Sequence, residues 1–204
     1  MKNKDIYSKL SRRILPILGT LSLCGLSCLL FWQWFMVGCL WWECVDYKSI
    51  DSAAVQIPRE FFPDKAAYSS LGPDDSSNGA IQHQAQNIFW GEYGNSSAIL
   101  HILRYPGPSR AKRGFETEVR ILDKMFYVFS HDSSQLDYRS ASADQLIVGC
   151  GKEWTPSGYK CAFVARYQQD LISFNMTIDR RMTLEDFERI IKYLDTSSVN
   201  GLGH

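Results

Sequence analysis

The sequence predicts an α+β domain behind a single N-terminal transmembrane helix. Three observations carry that expectation. No charged residue occurs between Ile14 and Trp42. Ile172, Phe174, Met176 and Ile178 alternate with Ser173, Asn175 and Thr177, the period-2 pattern of a strand buried on one face. Two apolar stripes recur at helical steps of three and four: Ala111, Phe115, Val119, Leu122, Met125, and Leu184, Phe187, Ile191, Leu194. The 204 residues suit one globular domain plus an anchor. The chain divides into a basic cytoplasmic flank (1–13), a transmembrane helix (14–42), a tether (43–79) and an extracytoplasmic α+β domain (80–204).

The anchor comes first. Its uncharged run of about 29 residues exceeds the roughly 20 that cross a bilayer as helix. Pro16 sits near the start, where a missing N–H costs least. Trp41 and Trp42 mark the exit, because indoles favour the headgroup region. Lys2, Lys4, Lys9, Arg12 and Arg13 precede the run, and Glu43, Asp46 and Asp51 follow it. The positive-inside rule therefore places the N-terminus in the cytoplasm and the C-terminal domain outside. The apolar run is about twice as long as that of a secretory signal. Cys28 and Cys39 each follow a faint lipobox, yet bulky apolar residues come after both, where a lipoprotein would begin a polar tether. An uncleaved span is the reading that remains.

The tether is rich in turn formers, with Pro58, Pro63, Gly72, Pro73 and the cluster "GPDDSSNG". Phe61 and Phe62 within it are expected to pack on the domain or on the membrane surface. "AIQHQAQNIFW" alternates Ile81, His83 and Ala85 against Gln82, Gln84 and Gln86, as a half-buried strand does. "SAILHILRY" reads as a more buried strand, and "GEYGNSS" turns the pair into a hairpin. The helix "SRAKRGFETEVRILDKM" follows, with Ser109 as its expected cap. Gly114 lowers its intrinsic propensity by about 1 kcal/mol relative to alanine, so packing must supply the stability. "FYVFS" is its last turn or a short strand. "LDYRS", "DQLIVGC", "YKCAFVARY" and "DLISFNMTI" are expected strands. Thr183 caps the last helix, with Asp186 three residues on, and the tail from Thr196 is expected to fray. An antiparallel sheet packed with two main helices is the simplest architecture.

Chemistry-bearing residues are sparse. Formal net charge is zero, and beyond the basic flank no basic patch with interleaved aromatics points to nucleic acid. Cys150 and Cys161 flank a ten-residue loop and are expected to form a structural disulfide, since an exported domain meets an oxidising environment. Cys24 and Cys28 share a helix face and read as small packing residues, because no histidine stands near to complete a metal site. His83 and His101 are expected to be neighbours across the hairpin, as a polar pair rather than a metal site. His131 and His204 are scattered. "VGCGKE" lacks the phosphate-loop spacing, and no nucleophile elbow occurs. Two glycosylation sequons begin at Asn95 and Asn175. Tyr105 and Trp154 are the candidate contact aromatics, although packing beneath the loop is the commoner arrangement for such residues. No cofactor, metal or catalytic residue is expected.

The element order has a likeness among known families. An early Phe62-Pro63 element, a strand pair ending "RYP", a helix beginning "SRAKRGF", the hairpin "YKCAFVARYQQDLISFNM" and a last helix "TLEDFERIIKYLD" resemble the PsbP-like α/β/α sandwiches and uncharacterised membrane-tethered bacterial domains. The likeness covers roughly residues 57–196. It implies a non-catalytic binding or accessory domain. The expected partners are membrane lipid and, in the alternative reading as a structural subunit, other members of a membrane complex. An enzyme of unrecognised class is the third reading.

Overall fold

The structure is a computed structural model that describes residues 3–37, 40, 44, 55–74, 79–129, 136–152 and 159–202. Two units divide the chain at Cys44 and Val45.

The first unit holds helix α1, Asn3–Val37. Its window Gly19–Met36 is long and apolar enough to cross a membrane, and none of that window is buried within the protein. Leu23, Leu26, Leu29, Phe31, Trp32 and Phe35 all project outward. The helix begins well before Ile14. Pro16 therefore lies inside it rather than in its first turn, a correction to the expected boundary. The basic flank and the apolar run form one continuous helix because nothing between Asn3 and Pro16 breaks it.

The second unit is α+β. Among the described residues it contains a seven-stranded antiparallel sheet and two long helices. The strands are β1 (Ala67–Tyr68), β2 (Gly72–Pro73), β3 (Gln82–Trp90), β4 (Ser96–Arg104), β5 (Gln145–Lys152), β6 (Tyr159–Tyr167) and β7 (Asp170–Ile178). Their order is β1-β3-β4-β7-β6-β5, with β2 also on the outer edge of β3. The predicted hairpin is present, with a short 3-10 turn at Glu92–Gly94. Helix α2, Pro108–Phe126, crosses from β4 to β5, and β5, β6 and β7 then run as a meander that returns β7 to the side of β4. Helix α3, Leu184–Gly201, ends the fold.

The two helices lie on opposite faces of the sheet. Phe187, Ile190, Ile191 and Leu194 of α3 pack on Leu100, Ile102, Phe163, Ile172, Phe174 and Met176. Ala111 and Leu122 of α2 pack on Leu103, Ala162, Val164 and Leu171. The alternation of β7 sends Ile172, Phe174 and Met176 to the α3 face, as the sequence indicates.

Several expectations are corrected here. Residues 55–74 are part of the domain, not a tether. Val55, Ile57, Phe62, Ala66 and Leu71 are buried against the α3 face, and β1 and β2 add to the sheet. Their prolines make the segment irregular without keeping it from the core. Strand β3 is buried mainly on the face opposite to the expected one. Gln84, Gln86, Ile88 and Trp90 are buried and Ile81 is half exposed, whereas His83 of the expected face is buried as well. Gln86 explains the difference. Its side chain accepts from Ile57 N (3.1 Å) and donates to Ser69 O (3.2 Å) and Ile57 O (3.3 Å), holding the incoming segment from beneath. A fully bonded amide tolerates burial that an unbonded one does not.

Helix α2 starts at Pro108 with Gly107 as its cap, so Ser109 lies inside the first turn. It ends at Phe126, and Tyr127 takes a left-handed conformation (φ 53°). "LDYRS" is not a strand: residues 136–140 run without regular structure, held by Tyr138 and Ser140 to Asp195. Thr183 caps α3 as expected, in a capping box with Asp186. The tail does not fray at Thr196. The helix continues to Gly201, with Ser198 and Leu202 buried, because their positions extend the apolar stripe of α3.

"VGCGKE", dismissed as a phosphate loop, has a packing role. Cys150 points to the α3 face. Gly149 and Gly151 present bare backbone to the end of α2, where an added Cβ would lie 2.1 Å from Val128 O and 2.3 Å from Tyr127 O. Gly149→Ala therefore forces a backbone shift. We expect a stability loss of about 1–3 kcal/mol, the usual range for overpacking, read from the urea midpoint at unchanged slope. An unchanged midpoint would mean that α2 yields freely.

Candidate functional site

Among the described residues, one group of chemistry-bearing side chains lies on the α2 face of the β3–β4 hairpin. Ladder register builds it. Ala85 pairs with His101, and His83 lies two residues before Ala85 on the same face. His83 Nε2 meets His101 Nδ1 at 2.9 Å, one ring donating and the other accepting. The expected neighbour relation is present. Asp74, just past β2, donates its N–H to His83 O at 3.1 Å and so continues the β2–β3 ladder. Its carboxylate stands 3.9 Å from His83 Nδ1. One donor atom each of Asp74, His83 and His101 falls within a sphere of contacts no wider than 4.8 Å. On the next strand Ser173 pairs with His101 and donates Oγ–H to Glu118 of α2 at 2.7 Å.

Burial is graded across this group. The His83 side chain is 3 % exposed and that of Asp74 32 %. Desolvation holds the His101 pKa below the usual histidine value, with His83 acting in the same direction and Glu118 and Asp74 opposing it. A neutral imidazole keeps a lone pair for a hydrogen bond or a metal ion. Asp74 and Glu118 are the members that sequence reasoning missed. Asp74 sits in a turn-rich cluster that says nothing of its strand neighbour, and Glu118 belongs to the polar face of a helix.

A second polar group is structural in character. Asp195 of α3 accepts from Tyr167 Oη (2.6 Å), Ser140 Oγ (2.7 Å) and Tyr138 Oη (2.8 Å). Tyr138 also borders an open groove of about 550 Å³ along the charged face of α3. Burial, then the bonded Asp195 carboxylate, pushes both phenols above the usual tyrosine range. Burial, then Glu118, raises Tyr105 to about 12. The folded state thus favours the neutral phenols. Their contribution is fully present below the unfolded value of about 10 and is lost as pH rises through the higher folded values. Thermal stability should therefore hold up to about pH 10 and fall above it, in step with tyrosinate absorbance. A decline complete before the phenols ionise would assign the alkaline transition to other groups.

The residues singled out from the sequence fare differently. Cys150 and Cys161 are directly opposite in the β5–β6 ladder and are joined by a disulfide. Tyr105 is not an exposed contact residue. It is 3 % exposed, and its ring fills the space over Gly114, where an added Cβ would come within 2.3 Å. This is the packing that offsets the helix glycine. Trp41, Trp42, Trp154 and Cys39 lie outside the described residues. Cys24 and Cys28 are free and exposed on α1, and Cys44 is disulfide-bonded. Asn95 is exposed, whereas Asn175 is buried at 4 %, so only the first sequon is open to a modifying enzyme in the folded domain. Comparison with known proteins finds no family model and no curated sequence that matches this chain.

Proposed function

We propose that this chain is a single-pass membrane protein that presents its α+β domain outside the cytoplasm as a non-catalytic binding or accessory module. The observation that carries this reading is α1: an outward-facing apolar helix with the five basic residues of the N-terminal flank before the span and acidic residues after it. The disulfide Cys150–Cys161 supports an oxidising location for the domain. The arrangement of a sheet between two helices supports the likeness to PsbP-like domains, which suggests an accessory role; fold alone does not assign one.

Orientation is the decisive test. In sealed right-side-out membrane vesicles, added protease should digest the domain beyond residue 45 and spare an N-terminal tag. The intact mass should retain the start of the chain without acyl groups. A domain protected until the vesicles are opened, or a mature lipidated N-terminus at Cys28 or Cys39, would overturn the reading. The alternative, a structural subunit of a membrane complex, draws on the aromatic and cysteine side chains exposed along α1. It requires a stable larger assembly on native gels after mild detergent extraction.

A further inference from the structure

We propose that Asp74, His83 and His101 form a binding site for a borderline divalent transition-metal ion of the zinc type. The site is independent of the membrane reading, since all three ligands belong to the α+β unit.

Two of its three ligands stand on the sheet, and the third lies directly after a strand. His83 and His101 stand on the two long strands of a hairpin whose nine-residue ladder is continuous, and Asp74 is fixed to His83 by a backbone hydrogen bond. Rigid strands hold ligands more closely than loops do. Around a tetrahedral ion with bonds of about 2.0–2.1 Å, two ligand nitrogens lie about 3.3 Å apart. The contact of 2.9 Å between His83 Nε2 and His101 Nδ1 need open by only a few tenths of an ångström, and one ligand atom from each of the three residues lies within 4.8 Å of the others, so the Asp74 carboxylate need turn inward by no more than about 1.5 Å.

The donor set selects the ion. Two imidazole nitrogens and one carboxylate suit zinc and its neighbours in the first transition row. Calcium and magnesium favour all-oxygen shells. Three protein ligands leave at least one coordination position for water or an anionic ligand. The partial exposure of Asp74 supplies the entry side. Glu118 accepts from Ser173 Oγ at 2.7 Å, and Ser173 is the residue paired with His101 on the next strand, so a carboxylate of the adjacent helix is fixed beside the site.

The polar-pair reading from the sequence describes the same two histidines without a third ligand. Asp74 is what separates the two. In the polar-pair reading its position is incidental, and in the metal site it is a ligand.

The test uses the full chain in detergent micelles, stripped with chelator, with Cys24 and Cys28 alkylated so that thiols on α1 cannot compete. Titration with zinc chloride should give one ion per chain and raise the melting temperature, and neither magnesium nor calcium chloride should do so. Cobalt(II) should give visible d–d bands without thiolate charge transfer. Asp74→Asn, on the exposed rim, should weaken zinc binding with the fold unchanged by circular dichroism. His101→Gln should weaken it beyond the roughly 10–100-fold typical of an outer-shell partner. Absence of stoichiometric zinc binding overturns the proposal. So does wild-type affinity in Asp74→Asn, which would return the pair to a simple hydrogen bond even if His101→Gln failed to fold.

Discussion

Asp170→Asn is expected to cost about 3–5 kcal/mol, the loss that follows when one partner of a buried ion pair is removed. Asp170 is wholly buried and Arg104 is 2 % exposed. The guanidinium meets the carboxylate as a fork, Nε to Oδ1 at 2.7 Å and Nη2 to Oδ2 at 2.8 Å. Nη2 also donates to Leu202 O at 2.8 Å, which ties the end of α3 to the central strands. The amide replacing the carboxylate keeps the shape but leaves the guanidinium charged and uncompensated. Typical domains are stable by about 5–15 kcal/mol, so the loss should bring this one close to unfolding. A urea titration of the full chain in detergent, followed by near-ultraviolet circular dichroism, reads it directly. The double substitution Arg104→Met, Asp170→Leu should cost less than Asp170→Asn alone, because no buried charge remains. A loss under about 1 kcal/mol for Asp170→Asn would mean that water reaches the guanidinium.

Loss of the disulfide is the second large effect. Cys150 and Cys161 close a loop at a sequence separation of 11, and chain-entropy reasoning assigns such a loop about 3 kcal/mol. Both residues lie in the core on the α3 face, Cys161 fully buried and Cys150 3 % exposed. Cys150→Ser with Cys161→Ser adds the burial of two hydroxyls to the lost constraint. The paired Cys150→Ala, Cys161→Ala variant separates the two contributions. The serine pair should melt lowest, the alanine pair next and the oxidised wild type highest, by several degrees at each end. Equal melting temperatures for wild type with and without reductant would show that the ladder holds the loop without the bridge. The two experiments address different joints of the fold. One fixes α3 to β4 and β7, and the other fixes β5 to β6.

What the sequence determined by itself is whatever depends on local periodicity or on an uninterrupted run. The apolar stretch of α1, the alternation of β7, the hairpin about "GEYGNSS" and the capping box at Thr183 each arise from residues near in sequence, and each is found where the pattern put it. The disulfide was legible because the two flanking strands pair through a single loop. Tertiary structure decided the rest. Proline density made residues 55–74 read as a tether, although their apolar side chains had a sheet face to fill. Strand β3 is buried mainly on its other face because Gln86 finds its partners in Ile57 and Ser69, 29 and 17 residues away, and local alternation carries no record of such bonds. Tyr105, within "RYPGP", is buried because Gly114 on α2 leaves a space for its ring, a contact that the local sequence does not record. Asp74 joined His83 and His101 only through the register of β2 on β3. Periodicity tells which side of an element is apolar. Which element comes to cover it, and which polar group that cover satisfies, depends on contacts distant in the chain, and those exist only once the sheet has formed.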